Sequence, residues 1–142
     1  MSLTRTQARD ECHTMFKTAW EAVGPSQGVS VLYADVAQDV PTSGSWARFT
    51  MKHSIGGQAT LSGETGLRTF RRTGVISVQI FTPTGDGNVL ADQLADIAKN
   101  AFEGKASPGQ VWFRDVTSNE IGQDGVWFQT NVFVGFEYDE VR

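Results

Sequence analysis

The sequence predicts an α+β domain, with an antiparallel or mixed β-sheet packed against two α-helices in the order α-β-β-β-(β)-α-β-β. Three observations carry that prediction. Two segments repeat apolar residues at three- and four-residue steps, several others alternate apolar with polar residues, and clusters of Gly, Pro, Asp and Ser separate them. Helices on one side of the sheet cover every apolar stripe at once. At 142 residues the chain is long enough for one domain with a core and too short for two of ordinary size, so residues 1–142 are read as one unit.

The first helix is expected between Thr4 and Val23, where Ala8, Cys12, Met15, Phe16, Ala19 and Val23 form a stripe and Arg9, His13, Lys17 and Glu21 fall mostly elsewhere. Gly24 is expected to supply a left-handed cap, and Pro25 cannot continue the ladder. "VSVLYADV" from Val29 reads as a short strand and "QDVPTSGS" as a surface loop. In "WARFTMKH", Phe49 and Met51 share one face, and Trp46, Arg48, Thr50 and Lys52 the other.

Residues 54–74 hold five glycines and few large apolar groups, so they can pair as strands but bury little by themselves, and a mobile hairpin or extended arm is expected there. From Val75, Ile76, Val78 and Ile80 share the parity of a core strand. Asn88 or Asp86 is placed to cap a second helix whose stripe is Leu90, Leu94, Ile97, Ala98, Ala101 and Phe102, with Gly104 ending it. "QVWFRDV" and "VWFQTNVFVGFEYDEV" read as two closing strands joined by "TSNEIGQDG", whose Asp-Gly pair signals a turn.

Composition narrows the function classes. The chain is 39% hydrophobic and 20% charged, its apolar runs stop well short of a bilayer span, and its start does not read as a secretory signal. Cys12 is the lone cysteine, so no internal disulfide is expected and a reducing compartment fits. A formal net charge of -4 gives no global attraction to nucleic acid.

Candidate chemistry is sparse. The corner Gly85, Asp86, Gly87, Asn88 lacks the Lys and Ser or Thr of a phosphate loop and the third glycine of a dinucleotide site, so it is expected to be a tight turn. Adjacent in a helix, Cys12 and His13 project about 100° apart and cannot act as a dyad; Cys12 is expected in the core and His13 on the exposed side. The two histidines and one cysteine have no metal-ligand spacing, and "DVTSNEIG" carries Glu120 where a calcium loop requires glycine. Asp92 and Asp96 read as a solvated helix face.

Surface residues are more informative. Arg68, Arg71 and Arg72 read either as edge protection or as contacts to an acidic neighbour or passing DNA. If Val126, Phe128, Val132, Val134 and Phe136 point into the core, Trp127 and Phe133 lie on the opposite face and need a cover, from a loop, the second helix or another subunit. Trp46 and Trp112 raise the same question. The interface candidates are therefore Trp46, Arg48, Arg68, Arg71, Arg72, Trp127 and Phe133.

Taken together, the N-terminal amphipathic helix, "SWARFTMKH", "RRTGVISVQIFTPTGDGN" leading into a helix, and "GVWFQTNVFVGFEYDE" resemble the tail terminator proteins of long-tailed phages, in the branch related to the lambda-type minor tail protein U. The resemblance spans nearly the whole chain through strand, glycine and aromatic patterns and includes no catalytic signature. It implies a structural protein, not an enzyme. Six subunits would form a ring that caps the tail tube, stops its polymerisation and presents a surface to the head–tail connector. The implied partners are further copies, the tail tube protein and the connector protein, with DNA only as cargo passing through the lumen. No cofactor, metal or membrane is implied, and the expected locations are the virion tail and the bacterial cytoplasm during assembly. The arm at 54–74 would be loose in a free subunit and ordered between neighbours. No obvious basic lining for a DNA channel stands out. The competing readings are another structural role in a phage neck or tail, and a small-ligand or nucleotide-binding module at Gly85–Gly87.

Overall fold

The computed structural model describes residues 3–33, 39–41, 44–54, 56–60, 64–85 and 88–142. Among them the elements run α1 (Arg5–Glu21), β1 (Ser30–Tyr33), β2 (Trp46–His53), β3 (Gly57–Gln58), β4 (Thr69–Pro83), α2 (Val89–Asn100), β5 (Trp112–Asp124) and β6 (Trp127–Val141). The sheet order is β1-β2-β4-β6-β5, with β3 pairing on β4. β1 runs parallel to β2 and every other pair is antiparallel, which makes the sheet mixed and the fold α+β.

α1 begins where Thr4 and Gln7 cap each other. The Thr4 hydroxyl accepts from the Gln7 amide at 3.2 Å, and the Gln7 side-chain oxygen accepts from the Thr4 amide at 3.0 Å. Ala8, Cys12, Phe16 and Trp20, spaced by four, bury the inner stripe. The helix stops at Glu21, with Ala22 already extended, so Gly24 is not its left-handed cap. The Ser26 hydroxyl instead donates to the Trp20 carbonyl at 2.7 Å, satisfying one terminal acceptor. Val23, beyond the end, is 93% exposed rather than part of the stripe.

The core lies between the helices and one face of the sheet. Ala47, Phe49 and Met51 of β2, Ile76, Val78 and Ile80 of β4, and Val132, Val134, Phe136 and Tyr138 of β6 meet the stripe of α1 and Leu94, Ala95 and Ala98 of α2. Each Leu- to Phe-sized side chain sealed there contributes roughly 1.5–3 kcal/mol against the entropy of ordering the chain. Gly74 sits beside His53 of β2 and Phe136 of β6, where a Cβ would run into the Lys52 carbonyl and the Phe136 ring. Glycine here lets that ring lie over the sheet.

Two regions depart from the sequence expectation. Residues 69–74 belong to β4 and pair with β6 as far as Val141, so the later part of the expected arm is strand in the main sheet. Gly57 and Gln58 add a short strand to its edge, while residues 55 and 61–63 of that segment lie outside the described residues. The run "TSNEIGQDG" is mostly strand too. β5 continues to Asp124 with register shifts between Arg114 and Thr117 and between Glu120 and Gly122. Asp115 at φ 54 and Gly122 at φ 102 fall inside those irregularities. The turn is a two-residue connection, Gly125 and Val126, with Gly125 at φ 63 as a primed hairpin turn requires.

Candidate assembly surfaces

The sheet face away from the helices carries a second, smaller apolar cluster of Leu32, Trp46 and Phe81, with half-buried Trp127 against it. Trp46 and Phe81 are register partners whose rings stack at 4.1 Å, and Trp127 meets Trp46 edge-on at 6.2 Å. Trp46 is thereby only 3% exposed, so its own subunit covers most of the ring expected to seek a partner. Arg48 lies over that indole at 5.5 Å and donates to the Gln79 side-chain oxygen at 3.4 Å.

Further along this face the cover ends. Phe133 is half-buried, opposite Ser77 and Thr117, while Val75 is 44% and Trp112 55% exposed. Arg114, paired in register with Gly135, bridges to Glu137 at 3.6 Å. Val126 is exposed, against the expectation that it points into the core, and Phe128 is half-buried.

The arginines near the sheet end are partly committed within the subunit. Arg71 pairs with Asp139 at 3.2 Å, and Arg72 pairs with Glu140 at 3.1 Å while lying over the Phe70 ring at 5.2 Å. The Arg68 backbone exchanges both hydrogen bonds with Arg142 at 3.0 and 2.8 Å. Nearby, a ring nitrogen of His53 lies 2.7 Å from the Tyr138 hydroxyl. Burial, reinforced by Arg5, Arg9 and Arg72, holds the His53 pKa down at about 4, so its imidazole is neutral near pH 7.

Cys12 is sealed within the core. Burial, with Glu11 second, pushes the Cys12 thiol up to about 12, which keeps it protonated and a poor nucleophile. His13 is half-buried rather than on the exposed side, its ring edge-on to Phe49 at 4.8 Å and 5.3 Å from Tyr33, and burial lowers its pKa. At the glycine corner Gly85 has φ +95, which fits a tight turn. Asp86 and Gly87 lie outside the described residues, and Asn88 occupies the helix start without a side-chain capping bond.

Several clefts open around the helices among the described residues. An apolar groove of about 600 Å³ runs along Met15, Ala19 and Ala22 towards Ala101 and Pro108. A second, of about 550 Å³ between α2 and β5, is lined by Asp92, Asp96, Glu120 and Thr130. A third, of about 430 Å³, is lined by Arg5, His53, Arg72, Tyr138, Glu140 and Arg142. Arg5, Arg142 and Glu120 carry no site signal in the sequence, and Asp92 and Asp96 read there as solvated surface. The one local trace is Arg5 itself, a cation in the first turn of a helix where acidic residues are favoured. Among the described residues no helix is long and apolar enough to cross a membrane, and no group of three His, Cys, Asp or Glu side chains could hold a metal ion.

The class is thus an α+β fold with both helices on one side of a mixed sheet. Over 96% of both chains it is similar to a solved structure at 18% identity, with a TM-score of 0.70. It is also similar to a chain of the virion of a native gene transfer agent particle, at 16% identity and a TM-score of 0.54, over 92% of this chain and 93% of the other. At those identities the likeness is one of fold. No protein-family model and no curated protein matches the chain.

Proposed function

We propose that the protein is a structural component of a phage or phage-like particle, acting as a tail terminator: a ring of six copies that caps the tail tube, stops its polymerisation and offers a surface to the head–tail connector. The observation that carries this reading is the fold shared, along nearly the whole chain, with a chain of a gene transfer agent virion. The sequence resemblance to tail terminators supports the narrower role. So does a sheet face that stays open around Val75, Trp112 and Phe133, since exposed apolar surface of this kind marks contact sites.

Arg48, Phe133, Trp127 and the Arg68–Arg72 region, with the segment 54–74 beside it, are assigned to contacts with neighbouring copies, the tube or the connector. Trp46 supports them from beneath. Work of this kind is done in the virion tail after assembly in the bacterial cytoplasm, and DNA passes only as cargo. The protein acts through geometry and not through turnover of a substrate.

Adding purified protein to polymerising tail tube protein is expected to yield tubes of limited length with a ring at one end in negative-stain electron micrographs. Tubes of unchanged length with bare ends would overturn the proposal.

A further inference from the structure

Two of the clefts are opposite in charge and lie towards opposite ends of β6. Thr130, in the acidic cleft, and Tyr138, in the basic one, are eight residues apart on β6, or about 26 Å at the rise of a strand. Each cleft gathers side chains mostly of one charge. Asp92 and Asp96 are like charges one helical turn apart, with Glu120 facing them from β5. Arg5 is a cation at the positive end of the α1 dipole, and it shares its cleft with the side chains of Arg72 and Arg142, where the one acidic side chain is Glu140, which Arg72 already engages.

The acidic cleft also contains an unanswered polar group. Thr130 is 3% exposed and its hydroxyl has no hydrogen-bond partner. A buried hydroxyl left unpaired is costly, and this one stands in the wall of the cleft. A single metal ion does not suit the cleft, because no three of its acidic groups come together as ligands. Carboxylates spread over about 550 Å³ suit forked, extended cations such as guanidinium groups.

We propose that the acidic cleft of Asp92, Asp96, Glu120 and Thr130 receives the arginine cleft of Arg5, Arg72 and Arg142 from a second copy of this chain. This inference rests on the ring reading above and supplies its subunit contact. The two patches differ and face opposite ends, so the contact is head-to-tail, the kind that closes into a ring or runs on as a filament. It also lets copies that each carry a net charge of -4 approach through a locally attractive pair of surfaces.

The test is charge reversal with compensation, read by sedimentation velocity across a concentration series at low and high salt. One variant carries Asp96→Lys and Glu120→Lys, the other Arg5→Glu and Arg142→Glu. All four positions are exposed. Circular dichroism checks that each variant folds, and Asp96→Asn with Glu120→Gln substitutes if the first does not. Wild-type protein is expected to associate, more strongly at low salt, and each variant alone to associate at least about tenfold more weakly, because like charges then meet. An equimolar mixture of the two is expected to recover association, since each altered cleft then finds its complement. The Arg5→Glu change is expected to leave thermal stability unchanged or raised, because it places an acid at the helix start. Wild-type assembly with both variants assembling equally well would overturn this contact and leave the ring standing. A wild-type protein that stays monomeric at every concentration and forms no ring on tube ends would overturn both.

Discussion

On the helix-covered face of the sheet, Ile76, Val134 and Phe136 are fully buried between strands and helices. On the opposite face, Leu32, Trp46 and Phe81 form a local cover with Trp127, and beyond it Val75, Phe133 and Trp112 meet solvent to differing degrees. Both faces belong to the same strands, so backbone pairing is common to them. The difference is what each side chain meets. The covered face stabilises the subunit, while the open face leaves apolar area exposed among the described residues, as contact surfaces do.

The sharpest way to break this comparison uses two phenylalanines three residues apart on β6. Phe136 lies over Gly74 and packs edge-on with His53 at 5.2 Å. Removing its ring leaves a cavity that the strands around it cannot easily close, so Phe136→Ala is expected to cost about 3–5 kcal/mol in urea unfolding. That is a large share of the ~5–15 kcal/mol that holds a typical domain together. A loss below about 1 kcal/mol, as at an ordinary surface site, would mean that the covered face is not the core.

The two faces also differed in how plainly the sequence announced them. Alternation in "WARFTMKH" predicts β2 with the bounds it has, and Phe49 and Met51 face the core as that parity requires. Polar strands are harder to read. "TSNEIGQD" lacks an apolar alternation and reads as a loop, yet its backbone pairs with β6 at the sheet edge, where ladder hydrogen bonds need no apolar side chain. Trp20 escapes a stripe drawn through Val23 because the helix ends first, whereas the spacing 8, 12, 16, 20 includes it. The two clefts are invisible for another reason: Arg5 and Arg142 sit at opposite ends of the sequence, and only the pairing of β4 with β6 and the placing of α1 bring them together.

Titration offers a mid-sized test at the end of the covered face. His53 has a folded pKa of about 4 against an ordinary value of 6.5, because burial and the nearby arginines disfavour its cation. Between those values the unfolded chain takes up a proton that the folded chain refuses, so stability falls as pH drops from about 6.5 to about 4. Burial lowers His13 as well, which adds in the same direction. The urea midpoint is therefore expected to be lower at pH 4.5 than at pH 7, and His53→Gln to lose less of its midpoint over that interval. Equal losses in the two proteins would show that the cleft does not keep His53 neutral.

The smallest expected effect on stability is the one that most sharpens the contrast. Phe133 is half-buried on the open face, where helices do not complete its packing, so Phe133→Ala is expected to cost about 1 kcal/mol in the isolated subunit, well short of the Phe136 value. Its effect should appear in assembly, because a neighbour that buries the remaining ring surface loses that apolar contact. Under the proposed tail-terminator role, fewer capped ends on tail tubes, at unchanged secondary structure by circular dichroism, is the expected result. If Phe133→Ala instead unfolded the subunit as readily as Phe136→Ala, the open face would be a second core, and the assembly surface would have to be sought among the clefts around the helices.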